Sequence, residues 1–359
     1  MTTGGQRAFR ATAIRYFRIV AILDGIAARP YPVGLVNYPR TLTVYVALTL
    51  AACAALAASL ISGSVDLAWS DLWQSLRSQH GLARDLVFEL RLPRALTAFA
   101  AGGLLALSGV LMQVLLRNPL ADPFVMGVSG GAAMAALSAM LLGLGGLAID
   151  AAATLGALAT TLLVFALAHG EGSWAPTRLL LTGIVVAAGT SAVVSMLLAL
   201  GDESQLRGML FWLMGDLSLN SRPVPLLTLL ALAVLVSLPL ARHLNLLSRG
   251  ELQARVLGAP VGAMRIVIFI ASSALTAATV TTAGTIGFVG LVTPHLVRMI
   301  LGSDHRLVLP ASALLGGTLV MLADLGARVL FAPRQLPVGA LTAIAGVPLF
   351  LLLMRRQTR

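Results

Sequence analysis

Residues 242–265 read RHLNLLSRGELQARVLGAPVGAMR and separate two long apolar runs. The stretch carries four arginines, three glycines and one acid, Glu251. In an otherwise apolar chain, a basic segment of this length is typical of the cytoplasmic end of membrane spans. Two roles are compatible with it, a docking surface for a cytoplasmic partner and a solvated connector, and the stretch alone does not decide between them.

The composition around this stretch is that of a polytopic membrane protein. Hydrophobic residues make up 58% of the 359 residues and charged residues 11%, and the mean hydropathy is +0.92. The net charge of +11 comes from arginines at the ends of apolar runs, which is where membrane topology requires them. We therefore expect the lipid bilayer, and no nucleic acid, as the partner of these charges.

The chain contains no lysine. A phosphate-binding loop of the Walker type needs a lysine to reach the β and γ phosphates of ATP. We therefore expect no cofactor on this chain, with ATP and Mg²⁺ bound by a separate ATPase subunit if ATP drives its work. The single cysteine, Cys53, excludes a disulfide framework, and neither a metal site nor a catalytic constellation is visible.

Ten apolar runs are candidates for helices that cross a bilayer, and all of them are uncharged except the eighth, which contains Arg298. They are Leu42–Ser62, Ala95–Leu116, Phe124–Leu144, Ala151–Ala168, Leu179–Leu200, Pro223–Ala241, Ile266–Thr282, Ile286–Leu301, Leu307–Ala323 and Leu336–Met354. The seventh and eighth come from an uncharged run of 32 residues, Ile266–Val297, that is too long for a single span. Dividing it at Ala283-Gly284-Thr285 gives two spans, or one span and a re-entrant segment lined by protein. Residues 1–40 are predicted to be a cytoplasmic N-terminal extension, and residues 41–359 a ten-helix transmembrane domain.

The arginine distribution gives the orientation of these spans. With both termini in the cytoplasm, the cytoplasmic segments hold 17 arginines and 5 acids, and the outer segments hold 8 arginines and 9 acids. This bias is the one that the positive-inside rule predicts. The stretch 242–265 then lies in the cytoplasm.

Several motifs resemble those of permease subunits of the ABC importers for iron-siderophores, haem and vitamin B12. The similarity runs through residues 60–357 in order and at similar spacing. The motifs are Leu90-Arg-Leu-Pro-Arg94, Arg117-Asn-Pro-Leu-Ala-Asp-Pro123, Gly250-Glu251, Gly284-Thr-Ile-Gly-Phe-Val-Gly290, Thr293-Pro-His-Leu-Val-Arg298, Asp304-His-Arg306 and Leu336-Pro-Val-Gly339. The resemblance implies an all-α type II ABC importer permease fold with ten helices per subunit, in the inner membrane. It also implies a homodimer, two ATPase subunits and a substrate-binding protein as partners.

The resemblance also implies roles for particular residues. The predicted ATPase-coupling residues are Arg249, Gly250, Glu251, Ala254, Arg255, Leu257 and Gly258. The predicted docking residues for the binding protein are Arg91, Arg94 and Arg328. For these arginines the alternative is local neutralisation, of Arg91 by Glu89 and of Arg328 by Asp324, four residues earlier on one helical face.

A translocation path or gate is predicted at Met112, Gln113, Gly284, Gly287 and Gly290. The alternative for the glycines is close helix packing, since small residues let helices approach each other in lipid. A break at Gly284–Gly290 would also suit a pathway, because transporters interrupt helices at such sites.

The expected function is import of a ferric siderophore, with haem and cobalamin as alternative cargo. The rival is a secondary transporter that works alone, which would require an ionisable coupling site within the membrane. A membrane-embedded enzyme would require a catalytic constellation. The sequence presents neither, so we expect a transport subunit and not an enzyme.

Overall fold

The structure is a computed structural model that describes residues 38–63, 75, 77, 81–168, 176–218 and 221–357. All regular structure in these residues is helical. The helices are α1 (Tyr38–Ile61), α2 (Leu82–Leu115), α3 (Val128–Leu141), α4 (Gly146–Ala168), α5 (Pro176–Leu200), α6 (Glu203–Met214), α7 (Pro223–Ser248), α8 (Glu251–Val256), α9 (Val261–Ala283), α10 (Val289–Leu301), α11 (His305–Val329) and α12 (Val338–Gln357). The predicted extension lies outside the described residues, apart from its last three.

The prediction of an all-α membrane protein is confirmed. Seven helices are long and apolar enough to cross a membrane, namely α1, α2, α4, α5, α7, α9 and α11. The shorter apolar helices α3, α10 and α12 fall on the three remaining predicted spans. The described residues from Thr43 onward form one compact unit.

Two helices extend further than the positions of their charged residues predict. The second predicted span begins at Ala95, whereas α2 begins at Leu82 and includes a π-helical segment, Leu86–Arg91. Arg91 and Arg94 do not end this helix because both side chains are buried with hydrogen-bond partners inside the protein. Similarly, α7 continues past Ala241 to Ser248, so that only residues 249–260 lie between α7 and α9.

Helix α2 forms the centre of the packing. Every residue from Ala100 to Leu116 is buried, and α2 contacts α7, α9, α10 and α11. Its glycines allow backbone contact with two of these neighbours: a Cβ atom at Gly102 would collide with the carbonyl of Gly316 in α11, and one at Gly109 with the carbonyl of Gly290 in α10. In lipid, where apolar surfaces gain little by leaving solvent, such close packing is what holds helices together.

The predicted division between the seventh and eighth spans is also confirmed. Helix α9 ends at Ala283, residues 284–287 are not helical, and α10 begins at Val289. Gly284 and Phe288 both have a φ of 68°. The end of α6 covers this break: the hydroxyl of Thr285 donates to the carbonyl of Leu213, and the N–H of Asp216 donates to the carbonyl of Ala283.

The contact between α2 and α11 can be tested at Gly102. We expect Gly102→Ala to lower the free energy of unfolding by about 1–3 kcal/mol, because the added methyl group forces two backbones apart. The measurement is an unfolding titration of the detergent-purified chain. Gly208→Ala in α6 is the control, because a Cβ atom there meets nothing within 4 Å. Equal stability of the two variants would contradict the close approach.

Candidate coupling, docking and pathway sites

Helix α8 is a separate short element between α7 and α9, and two glycines set its limits. Gly250 precedes α8 with a φ of 126°, and Gly258 follows it with a φ of 79°. These backbone conformations are available to glycine and are unfavourable for other residues. The two predicted coupling glycines therefore fix how α8 projects from the helices on either side.

Glu251 ties α8 to the start of α9. Its carboxylate oxygens accept from Arg255 at 2.7 Å and from Arg265 at 2.6 Å. Partial burial raises the pKa of Glu251, but the charges and hydrogen bonds of Arg265 and Arg255 outweigh that effect and hold the pKa below its usual value. The contribution of these pairs is therefore fully present at neutral pH and is lost only as the pH falls through the lowered value.

The outward face of α8 is apolar. Leu252 and Val256, four residues apart, are 77% and 79% exposed, and Leu257 is also exposed. Ala254 is buried against the protein, and Arg249 and Arg255 are exposed beside the apolar residues. Sequence analysis missed Leu252 and Val256, although an apolar pair at i, i+4 in a polar stretch signals one helix face. Exposed apolar side chains ringed by charges are typical of a protein interaction site.

The three arginines predicted to dock a binding protein converge at the other end of the structure, and all three are buried. Asp324 in α11 pairs with Arg94 of α2 at 2.8 Å and with Arg328 at 3.1 Å. Arg91 donates to the carbonyls of Leu60 and Ile61 at the end of α1, at 2.7 Å each. The alternative of local neutralisation is thus confirmed for Arg328, and the docking role of the three arginines stays a prediction.

The five predicted path residues do not form one surface. Met112 is completely buried, and the amide of Gln113 donates to the carbonyls of Gly290 and Leu291 while its oxygen accepts from Arg298. A Cβ atom at Gly284 or Gly290 would collide with backbone or side-chain atoms, which is the signature of close packing.

Gly287 differs from the other four. A Cβ atom there would meet nothing within 4 Å, so open space adjoins the non-helical break. Gly287 is therefore the one glycine among the predicted path residues where an added side chain would meet no other atom of the described structure. Lining of a path by any of the five stays a prediction.

Comparison with known proteins finds similarity along nearly the whole membrane domain. The FecCD transport family matches residues 49–356. A vitamin B12 import system permease protein of Vibrio cholerae is 40% identical, with 83% of this chain and 89% of that protein covered. A hemin transport system permease protein of Yersinia pestis is 38% identical, with 82% and 90% covered.

A similar fold has been solved. A structure described as an inward-facing conformation of a metal-chelate type ABC transporter matches with a TM-score of 0.76 and 34% sequence identity. The match covers 88% of this chain and 99% of the solved one.

The buried charges at Asp324 allow a test of its structural role. We expect Asp324→Asn to lower the free energy of unfolding by about 3 kcal/mol, because it leaves Arg94 and Arg328 buried without a negative charge. The measurement is an unfolding titration in detergent. The control is Asp202→Asn. Asp202 is exposed, and its side chain makes no capping hydrogen bond to α6. Unchanged stability of Asp324→Asn would show that the cluster does not support the fold.

Proposed function

The chain belongs to the FecCD transport family and is the membrane permease subunit of an ABC importer, and we propose that its cargo is a ferric siderophore. Haem and cobalamin are the alternatives. The chain is a transport subunit and not an enzyme. The observation that carries the proposal is the match to this family over residues 49–356, together with the 34% identical metal-chelate type transporter. Large chelates carry little charge for their size, which suits spans with few charged residues.

The proposed assembly contains a second copy of this chain, two ATPase subunits and a substrate-binding protein, in the inner membrane with both termini in the cytoplasm. ATP and Mg²⁺ would be held by the ATPase subunits. The distribution of arginines supports this orientation. The exposed surface of α5, where Gly189 has open space, offers a small-residue face for helix contact with the second copy.

The proposed contact with the ATPase is the exposed face of α8. Leu252, Val256 and Leu257 would enter an apolar cleft, while Arg249 and Arg255 would meet acids at its rim. Burial of the apolar side chains supplies affinity, and the rim charges set the register of the contact. The ion pair between Glu251 and Arg265 joins α8 to α9. A displacement of α8 would therefore be transmitted directly to α9.

The proposed docking site for the binding protein lies over the cluster of Arg91, Arg94 and Arg328. Within this cluster one acid, Asp324, is shared by two arginines, Arg94 and Arg328, so that these three paired side chains carry a net positive charge. Such a charge beneath the surface attracts acidic residues of an approaching protein even when the side chains themselves are covered. The proposed path for the cargo begins beside Gly287 at the break between α9 and α10.

The cargo and the energy source can be tested together. We expect proteoliposomes with this chain, its ATPase subunit and its binding protein to take up radiolabelled ferric siderophore only with ATP inside, because the chain supplies no nucleotide site. Excess cobalamin or haem should not compete. Preferential uptake of either would assign the alternative cargo. Uptake by the chain alone, driven by a proton or sodium gradient, would instead support the secondary transporter.

The proposed contact of α8 with the ATPase subunit can be tested by placing charged residues on the exposed face of α8. We expect Leu252→Glu with Val256→Glu to weaken co-purification with the ATPase subunit at least about tenfold, since a buried apolar side chain contributes about 1.5–3 kcal/mol. Leu330→Glu with Phe331→Glu is the control, because these exposed side chains lie on the predicted outer side. Undiminished co-purification would make α8 a connector and not a docking surface.

A further inference from the structure

We propose that Asn245, near the end of α7, is a positioning residue that passes movement of α8 into α11. The proposal rests on the proposed contact between α8 and the ATPase. It adds a route by which that contact reaches the opposite side of the subunit.

Asn245 bridges two helices through both ends of its side-chain amide. The nitrogen donates to the Asp304 carboxylate at 2.8 Å. The oxygen accepts from the backbone N–H of His305 at 2.9 Å and also lies 2.6 Å from Nδ1 of the His305 ring. Asp304 is the residue that caps α11, accepting from the N–H of Arg306 at 3.0 Å. One side chain of α7 therefore binds both the capping residue and the first residue of α11.

The orientation of the amide follows from its partners. A carboxylate can only accept and a backbone N–H can only donate, so the nitrogen of Asn245 must face Asp304 and its oxygen must face His305. The ring of His305 must then donate from Nδ1. Its other nitrogen, Nε2, is buried and has no hydrogen-bond partner among the residues that the structure describes. The bond from Nδ1 to Asn245 is therefore the ring hydrogen bond that the described residues provide, and it orients the ring.

The position of Asn245 in the chain connects this bridge to the coupling helix. Asn245 lies three residues before the end of α7 at Ser248, and α8 begins at Glu251. A displacement of α8 that tilts the last turn of α7 must move Asp304 and His305 or break three hydrogen bonds. The bond from Asn245 to the Asp304 carboxylate is charge-assisted, which makes it the strongest kind among the three.

Helix α11 carries such a movement across the subunit. It has 25 residues, or about 37 Å at 1.5 Å per residue. Its far end holds Asp324 and Arg328, and Asp324 pairs with Arg94 of α2. The helix is therefore fixed at one end to the segment that leads into α8 and at the other end to the proposed docking cluster. Although Pro310 removes one backbone hydrogen bond in the second turn, α11 is continuous from His305 to Val329. A continuous helix held at both ends provides a route for displacement between them.

The experiment compares substituted chains in proteoliposomes with the ATPase subunit and binding protein, and measures cargo transported per ATP hydrolysed. We expect Asn245→Asp to lower this ratio about tenfold, because it removes a charge-assisted donor and opposes two carboxylates. Adding Asp304→Asn restores a donor and acceptor pair, and should return the ratio to within about threefold of the original. Thr228→Val, elsewhere on α7 at an exposed hydroxyl that bonds within its own helix, should change nothing.

The outcomes separate this inference from the proposed function. Failure of the unsubstituted chain to assemble with an ATPase would overturn the proposed function. Normal assembly together with an unchanged ratio in Asn245→Asp would overturn the inference alone, since a helix cap without a transmitting role affects stability and not coupling. If Asn245→Asp does not reach the membrane, Asn245→Ser, which is smaller and uncharged, carries the same expectation.

Discussion

Close contact between backbones around α2 is the interaction on which the rest of this subunit depends. Lipid offers little gain for burying one apolar helix against another, so the helices must be held by short-range packing and by hydrogen bonds. Gly102 and Gly109 bring α11 and α10 against α2, and Ser108 of α2 donates to the carbonyl of Ser272 in α9 at 2.8 Å. Because α10 starts at a break and not at a continuous helix, its place is determined by this contact and by Gln113.

The same constraint explains where the polar groups lie. A non-helical segment within a membrane protein must have its backbone covered by protein or water. Gly284 and Thr285 meet this requirement through the end of α6, which supplies the carbonyls of Trp212 and Leu213 as neighbours. The buried arginines are likewise paired with Asp324 or with carbonyls at the end of α1. Irregular backbone and charge therefore occur where other elements of the chain satisfy them.

Much of this fold could be predicted from the sequence, because uncharged runs identify spans and glycine marks the break at 284. Helix ends were less predictable where a charged residue has a partner distant in sequence. Arg94 pairs with Asp324 across 230 residues, so its charge did not signal the end of α2. The i, i+4 spacing of Asp324 and Arg328 did predict their pair. The bridge at Asn245 could not be predicted, because no sequence pattern indicates that an asparagine in a polar stretch binds a residue 60 positions away, such as His305.

The two glycines that flank α8 have a consequence for how importers of this kind diverge. Gly250 and Gly258 set the direction of α8 by backbone conformation, independently of the apolar side chains that it exposes. Leu252, Val256 and Leu257 can therefore be replaced without disturbing the packing of α7 against α9. A lineage could exchange its ATPase partner through substitutions at this face while the membrane domain and its cargo remain the same. Interface and transport path would then evolve as separate modules of a single chain.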